Sequence, residues 1–280
     1  APFLGELVIG IGGWRGIFLS FIAFSTLSVL WINLRLPEPL PVANRRPFQV
    51  VALWHALKEM MALPMVRGSI YVQTLIFTVL FTSISLVQPT FDLIFDRGAQ
   101  FAVYFFAIGL ICGTSSMVNA IFVVRFGMRA LITFAVVITT GLTAVMLMLT
   151  LAGITGETYF WLFVVWQTAI LYQMGLTIGN LNALAMEPLG HIAGLSASVM
   201  GAIATVLGGI FATLIAQAFD QTTLPQILGS LVALLLTIPC CCACAGSTVP
   251  RPHICPGSDP PDTPSMKTER RTISALPVVL

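Results

Sequence analysis

Residues 158–186 read TYFWLFVVWQTAILYQMGLTIGNLNALAM, a run of apolar and uncharged polar side chains without a single Asp, Glu, Lys or Arg. A charge-free run of at least about 18 apolar residues is long enough to cross the hydrocarbon core of a bilayer as a helix. Six further stretches share this character: 16–34, 68–91, 98–124, 130–156, 188–219 and 221–250. They are continuously apolar and do not alternate, which excludes a transmembrane barrel. Residues 1–13 form a shorter apolar stretch broken by Glu6, about half a span. The expected fold is all-α and polytopic, with seven full transmembrane helices and a half-helix.

Composition agrees. The chain has 280 residues, of which 57% are hydrophobic and 9% charged. An average soluble domain carries about 25% charged residues, and the 13 basic and 11 acidic side chains here cannot cover a globule of this size. A soluble enzyme, a disordered chain and a nucleic-acid binder are thereby excluded, and a net charge of +2 is too small to imply a polyanionic partner. The expected partner surface is the lipid bilayer. No Walker loop, zinc-protease His-Glu-x-x-His or nucleophile elbow is present, so no enzyme, cofactor or metal is expected. Cys112 reads as a small packing residue, and the irregular spacing of Cys240, Cys241, Cys242, Cys244 and Cys255 matches no disulfide framework.

The basic residues set the orientation. With the connection 35–67 in the cytoplasm and the spans alternating, eleven of the thirteen Lys and Arg fall inside, leaving Arg15 and Arg97 outside with Asp92, Asp96, Glu157 and Asp220. The C-terminus is then cytoplasmic. Four prolines interrupt the first half of 35–67, and residues 48–63 read as an amphipathic helix lying on the membrane. Residues 10–16 read as a short turn.

Four motifs fall in order along this layout. Ala1 to Gly5 (APFLG) with Gly13 to Phe18 (GWRGIF) resembles the fifth-span signature of major facilitator superfamily drug:proton antiporters. Leu36-Pro37-Glu38-Pro39-Leu40 resembles the close of the sixth span in the Bcr/CflA multidrug efflux subgroup. Arg125-Phe126-Gly127-Met128-Arg129 is similar to the turn between the eighth and ninth spans, and Leu184 to Ser198 (LAMEPLGHIAGLSAS) to the junction of the tenth and eleventh. The resemblance covers about 1–238 and implies a monomeric, multi-pass transporter of the bacterial inner membrane that exports small drug-like molecules in exchange for protons by alternating access. It further implies that the chain is the C-terminal two-thirds of a twelve-helix transporter. Residues 1–34 would end the N-terminal half, 35–67 would be the central cytoplasmic loop, and 68–239 would be the C-terminal six-helix bundle. Residues 240–280 would be a disordered tail, natural or out of frame, after a last span cut at Pro239. An inactive fragment and a major facilitator carrier for another small solute are the alternatives.

The candidate site residues follow. Pro2 and Gly5 belong to the fifth-span motif, where proline frees a helix hydrogen bond and glycine admits a close neighbour. Glu6 stands where that motif has a second glycine. A carboxylate at membrane depth is a proton-coupling candidate, against the alternatives of a water-filled cavity or a basic partner. Arg125, Gly127 and Arg129 read either as a gating turn or as a positively charged anchor. Glu187 and His191 read as a helix stop with interfacial charge. The span 158–186 concentrates the substrate-cavity candidates Gln167, Tyr172, Gln173 and Asn180; the three amides either bind a neutral substrate or hold helices together, and the Tyr172 ring offers a stacking face for a planar drug. Gly194, Gly201 and Gly208 recur every seven residues and are expected to form a helix-packing stripe.

Overall fold

The computed structural model describes residues 2–35 and 57–246. The sequence-based readings of residues 36–56 and 247–280, including the Leu36 to Leu40 motif and most of the tail, lie outside them. Every regular element among the described residues is a helix: α1 (Pro2–Arg35), α2 (57–62), α3 (Pro64–Leu93), α4 (Phe101–Gly113), α5 (Ser115–Phe126), α6 (Met128–Leu151), α7 (Glu157–Met186), α8 (Ala193–Gln217) and α9 (Leu224–Gly246). Short 3₁₀ turns at Gly98–Gln100 and Glu187–Ile192 lead into α4 and α8.

Six helical segments are long and apolar enough to cross a membrane, with α4 and α5 counting as one span, Gly98–Phe126. The chain is an all-α, multi-pass membrane protein. The seventh expected span is shorter than its charge-free run. Among the described residues the apolar part of α9 is Leu224–Cys240, preceded by a bend at 221–223. The helix does not stop at Pro239, which lies within α9.

The expected half-span and first full span are joined more tightly than the sequence indicated. In place of a turn over residues 10–16, helix α1 runs through this region and breaks only at Gly13, with φ 62° and ψ −168°. A Cβ on Gly16 would lie 3.4 Å from the Val8 carbonyl oxygen. In a straight helix, residues eight apart are separated by about 12 Å. The chain therefore folds back on itself at Gly13. Gly127 makes a similar one-residue reversal between α5 and α6, with φ 82° and ψ 157°. Both conformations are essentially restricted to glycine.

Helices α3, α9, α6 and α7 form a ring: α3 packs on α9 and α7, and α6 packs on the same two. Consequently α7 and α9 face each other across the centre. Helix α8 lies against α3, and the α4–α5 helix lies against α7. These neighbours divide the bundle into two three-helix units, α3 to α6 (with α4–α5 as one helix) and α7 to α9. Exchanging the units maps the α3–α8 contact onto α7 with α4–α5, and α3–α9 onto α7–α6, while α3–α7 and α6–α9 map onto themselves. The three spans of the first unit put the start of the second on the opposite side of the membrane, as inverted-topology repeats require.

Glycine permits a close crossing at two contacts between the units. A Cβ on Gly208 of α8 would stand 2.7 Å from the Phe77 Cβ and 3.1 Å from α3 backbone atoms, and one on Gly175 of α7 would stand 2.7 Å from the Ser115 Cβ. A Cβ on Gly194 or Gly201 meets nothing within 4 Å. The close approach along that stripe is thus confined to Gly208.

The two ends of the bundle are closed differently. At the end where α3 begins, α2 is tied to the bundle by Met60, which is wholly buried with Val66, Ile70, Ala185, Leu189 and Met200. The described part of the expected amphipathic helix over 48–63 is thus helical at 57–62, with Met60 on its inward face and Lys58 and Glu59 exposed. At the other end Phe91, Phe95, Phe101, Tyr104, Phe160 and Phe163 pack as an aromatic cluster, with Phe95 and Phe160 edge to face at 5.1 Å.

Candidate functional site: a buried polar seam around α7

Helix α7 sits at the junction of α3, α4, α5 and α6, and its polar side chains at membrane depth are turned inward. Gln167 is fully buried and its Oε1 accepts a 2.9 Å hydrogen bond from Gln226 Nε2 of α9, directly across the ring. Immediately before it in sequence, Trp166 Nε1 donates to Thr143 Oγ1 of α6 at 3.0 Å. Asn180 is buried, and its Nδ2 donates to Asn119 Oδ1 of α5 and to the Leu176 carbonyl, both at 2.7 Å. Asn182 Oδ1 accepts from Gln73 Nε2 of α3 at 3.2 Å. The amides of α7 therefore join it to α3, α5 and α9.

Gln173 differs from these. It is 2% exposed, and neither end of its amide has a hydrogen-bond partner among the described residues. Gln167 Nε2, Gln226 Oε1, Gln73 Oε1 and Ser230 Oγ are likewise buried without a partner. A polar atom buried without a hydrogen bond costs about 1–3 kcal/mol. Such groups mark where a water or a polar ligand is to be sought. Tyr172, on the neighbouring face, is half-buried.

The remaining candidates lie apart from this seam. Pro2 opens α1, Gly5 is half-buried and Glu6 is exposed on the first limb of α1. Arg125 is exposed with its guanidinium 5.5 Å from the Phe126 ring centroid, and Arg129 is half-buried at the start of α6. Gly127 between them donates its N–H to the Val123 carbonyl at 2.9 Å. Glu187 and His191 lie in the 3₁₀ turn that follows α7, so the helix ends where their sequence indicated a stop.

Sequence reading missed a set of interactions at the aromatic end. The Tyr159 hydroxyl bonds Thr150 Oγ1 of α6 at 2.8 Å and also Thr223 Oγ1, immediately before α9. Arg97 pairs with Glu157 and stacks over the Phe160 ring at 4.2 Å, while Trp161 Nε1 donates to Glu157 at 2.9 Å. Gln226 was also missed, because it opens the last apolar run and only its position opposite Gln167 gives it meaning. The signal available was the excess of hydroxyls and amides at corresponding span ends. In the turn after α8, Asp220 Oδ1 accepts from the Thr222 hydroxyl at 2.6 Å and from its N–H at 3.2 Å. The Thr222 hydroxyl bond holds the Asp220 carboxyl below the ordinary carboxylate range.

Fold and seam together define a polytopic helical membrane protein with an amide-rich interior. No family model matches the chain, and neither a curated protein nor a solved structure is significantly similar to it.

Proposed function

We propose that the chain works in a proton-coupled exporter of small drug-like molecules, of the major facilitator type, in a bacterial inner membrane with its C-terminus cytoplasmic. The observation that carries this reading is that the neighbours of two three-helix units correspond when the units are exchanged, the packing expected of inverted repeats. Transporters place substrate near the midplane between such repeats and alternate access by rocking one bundle against another. Gln173, near the middle of α7 with an unpartnered amide, is the residue assigned to hydrogen-bond substrate. Gln167 and Asn180 fix the α7 wall through Gln226 and Asn119, and Tyr172 supplies an aromatic face beside them. Glu6 is assigned to proton coupling, and Arg125, Gly127 and Arg129 to the gating turn.

One observation favours a second reading. The buried polar groups of α3 to α9 are amides and hydroxyls, with no acid or base among those described. A carrier for a neutral solute that needs no proton fits that interior. Ethidium and chloramphenicol efflux from cells lacking their own exporters separates the readings. Under the exporter reading, expression lowers accumulation, a protonophore abolishes the effect, and Glu6→Gln and Gln173→Leu each reduce it with normal membrane levels. Solute movement indifferent to the protonophore and to Glu6→Gln supports the carrier. No movement of any solute removes both.

A further inference from the structure

A cleft of about 570 Å³ lies between the end of α8 and the start of α9, lined by Leu214, Ile215, Ala218, Leu224, Leu228 and Gly229, with Asp220 at its rim. We propose that it binds a bilayer phospholipid with a primary ammonium headgroup, the acyl chain lying along Leu214 and Leu228 and the ammonium bonding Asp220 Oδ2.

Three features select this occupant. The first is position. Leu214 and Leu228 are 58% and 46% exposed on the apolar helices α8 and α9, so the cleft opens to the side of the bundle, the side that a bilayer would cover. An occupant therefore enters from the membrane, chain first. The second is floor and wall chemistry. Apart from Asp220, every lining side chain is apolar or absent, and Gly229 leaves the floor low where Ile215 lies against it. That surface suits a hydrocarbon chain and offers nothing to a polar solute.

The third feature is charge. Asp220 follows α8 directly, at the level where headgroups meet a spanning helix. Thr222 takes Oδ1 twice, through its N–H and its hydroxyl, and the Thr222 hydroxyl in turn accepts from the Leu224 N–H at the start of α9. This holds the carboxylate in one orientation and leaves Oδ2 without a described partner. The bond from Thr222 also lowers the carboxyl below its ordinary range. A primary ammonium donates a charge-assisted hydrogen bond to such an oxygen, whereas a quaternary ammonium has no N–H to give and a phosphoglycerol headgroup is repelled.

The test uses the full-length protein in phosphatidylcholine vesicles containing a small fraction of phosphatidylethanolamine with a diazirine in its acyl chain. After illumination, labelled peptides are mapped. Label on the segment 214–228 is expected to exceed label on the lipid-facing residues of α6 by about tenfold, the scale of one charge-assisted hydrogen bond. Asp220→Asn keeps an oxygen for Thr222 but removes the charge, and is expected to bring the segment down to the α6 level, while Asp220→Glu restores part of the excess. Diazirine-bearing phosphatidylcholine and phosphatidylglycerol are expected to show no excess. Equal labelling of both segments overturns the proposal, and so does an excess that survives Asp220→Asn or ignores the headgroup.

Discussion

A single Cβ separates tolerated from damaging change at the glycines of α8. Gly208→Ala sets a methyl group 2.7 Å from the Phe77 Cβ and 3.1 Å from α3 backbone, which cannot rotate away. Overpacking of this kind costs about 1–3 kcal/mol, and the variant is expected to melt earlier in detergent, followed by size exclusion after heating. Gly201→Ala meets nothing within 4 Å and removes a flexible residue from a helix, so it is expected to be neutral or slightly stabilising in the same assay. The seven-residue spacing made all three glycines equivalent in the sequence. Only the crossing angle of α8 on α3 decides which of them touches, and that angle is a property of two helices. Asp220 offers a second residue-scale test. Its carboxyl is depressed in the folded protein below the ordinary 3.8 by the Thr222 hydroxyl. The stability it contributes is therefore present above that value and lost as pH falls through the lower folded one. Wild type is expected to lose stability relative to Asp220→Asn when thermal unfolding is followed from neutral pH to below 3.8.

Among the elements, helix existence was legible because a charge-free run has no other stable form in a bilayer. The span 158–186 differs from α7, Glu157–Met186, by one residue. Less legible were junctions. The reversal at Gly13 needs one residue where the sequence indicated seven, since a left-handed glycine turns the chain without a loop. Helix α9 passes Pro239 because a proline ring is tolerated where its helix is packed against neighbours, and Cys240 Sγ lies 3.7 Å from the Gly68 carbonyl as its donor. The candidate site was half legible. Polar residues on α7 stood out against their apolar surroundings, but which residues of α5, α6 and α9 they pair with did not, because pairing depends on which helices are neighbours and which are diagonal. The Gln167–Gln226 bond is the sharpest instance. A double-mutant cycle of Gln167→Leu and Gln226→Leu is expected to give a coupling energy of about 0.6–1.7 kcal/mol, the range of interhelical bonds within membranes. Additive effects in thermal unfolding would mean that the two amides do not meet.

At the level of the whole molecule, the contacts group the turns and helix ends as alternation of the spans requires. Arg97 with Glu157, and Tyr159 with Thr150 and Thr223, join turns assigned to one side of the membrane, while Asn119 with Asn180 and Gln73 with Asn182 join helix ends assigned to the other. The inverted pairing of α3–α6 with α7–α9 was not visible in the sequence, because the two units share packing positions without sharing residues. It is this pairing that links the fold to alternating access, and proton exchange is the step on which the functional proposal rests. The most direct measurement is proton movement in everted membrane vesicles that contain the full-length protein and a fluorescent pH indicator, energised to an acidic interior. Adding ethidium or chloramphenicol is expected to release protons from the lumen at a rate that saturates with substrate and falls sharply in Glu6→Gln and Gln173→Leu. Substrate entry with no change in the pH signal, in wild type and variants alike, would contradict proton-coupled export.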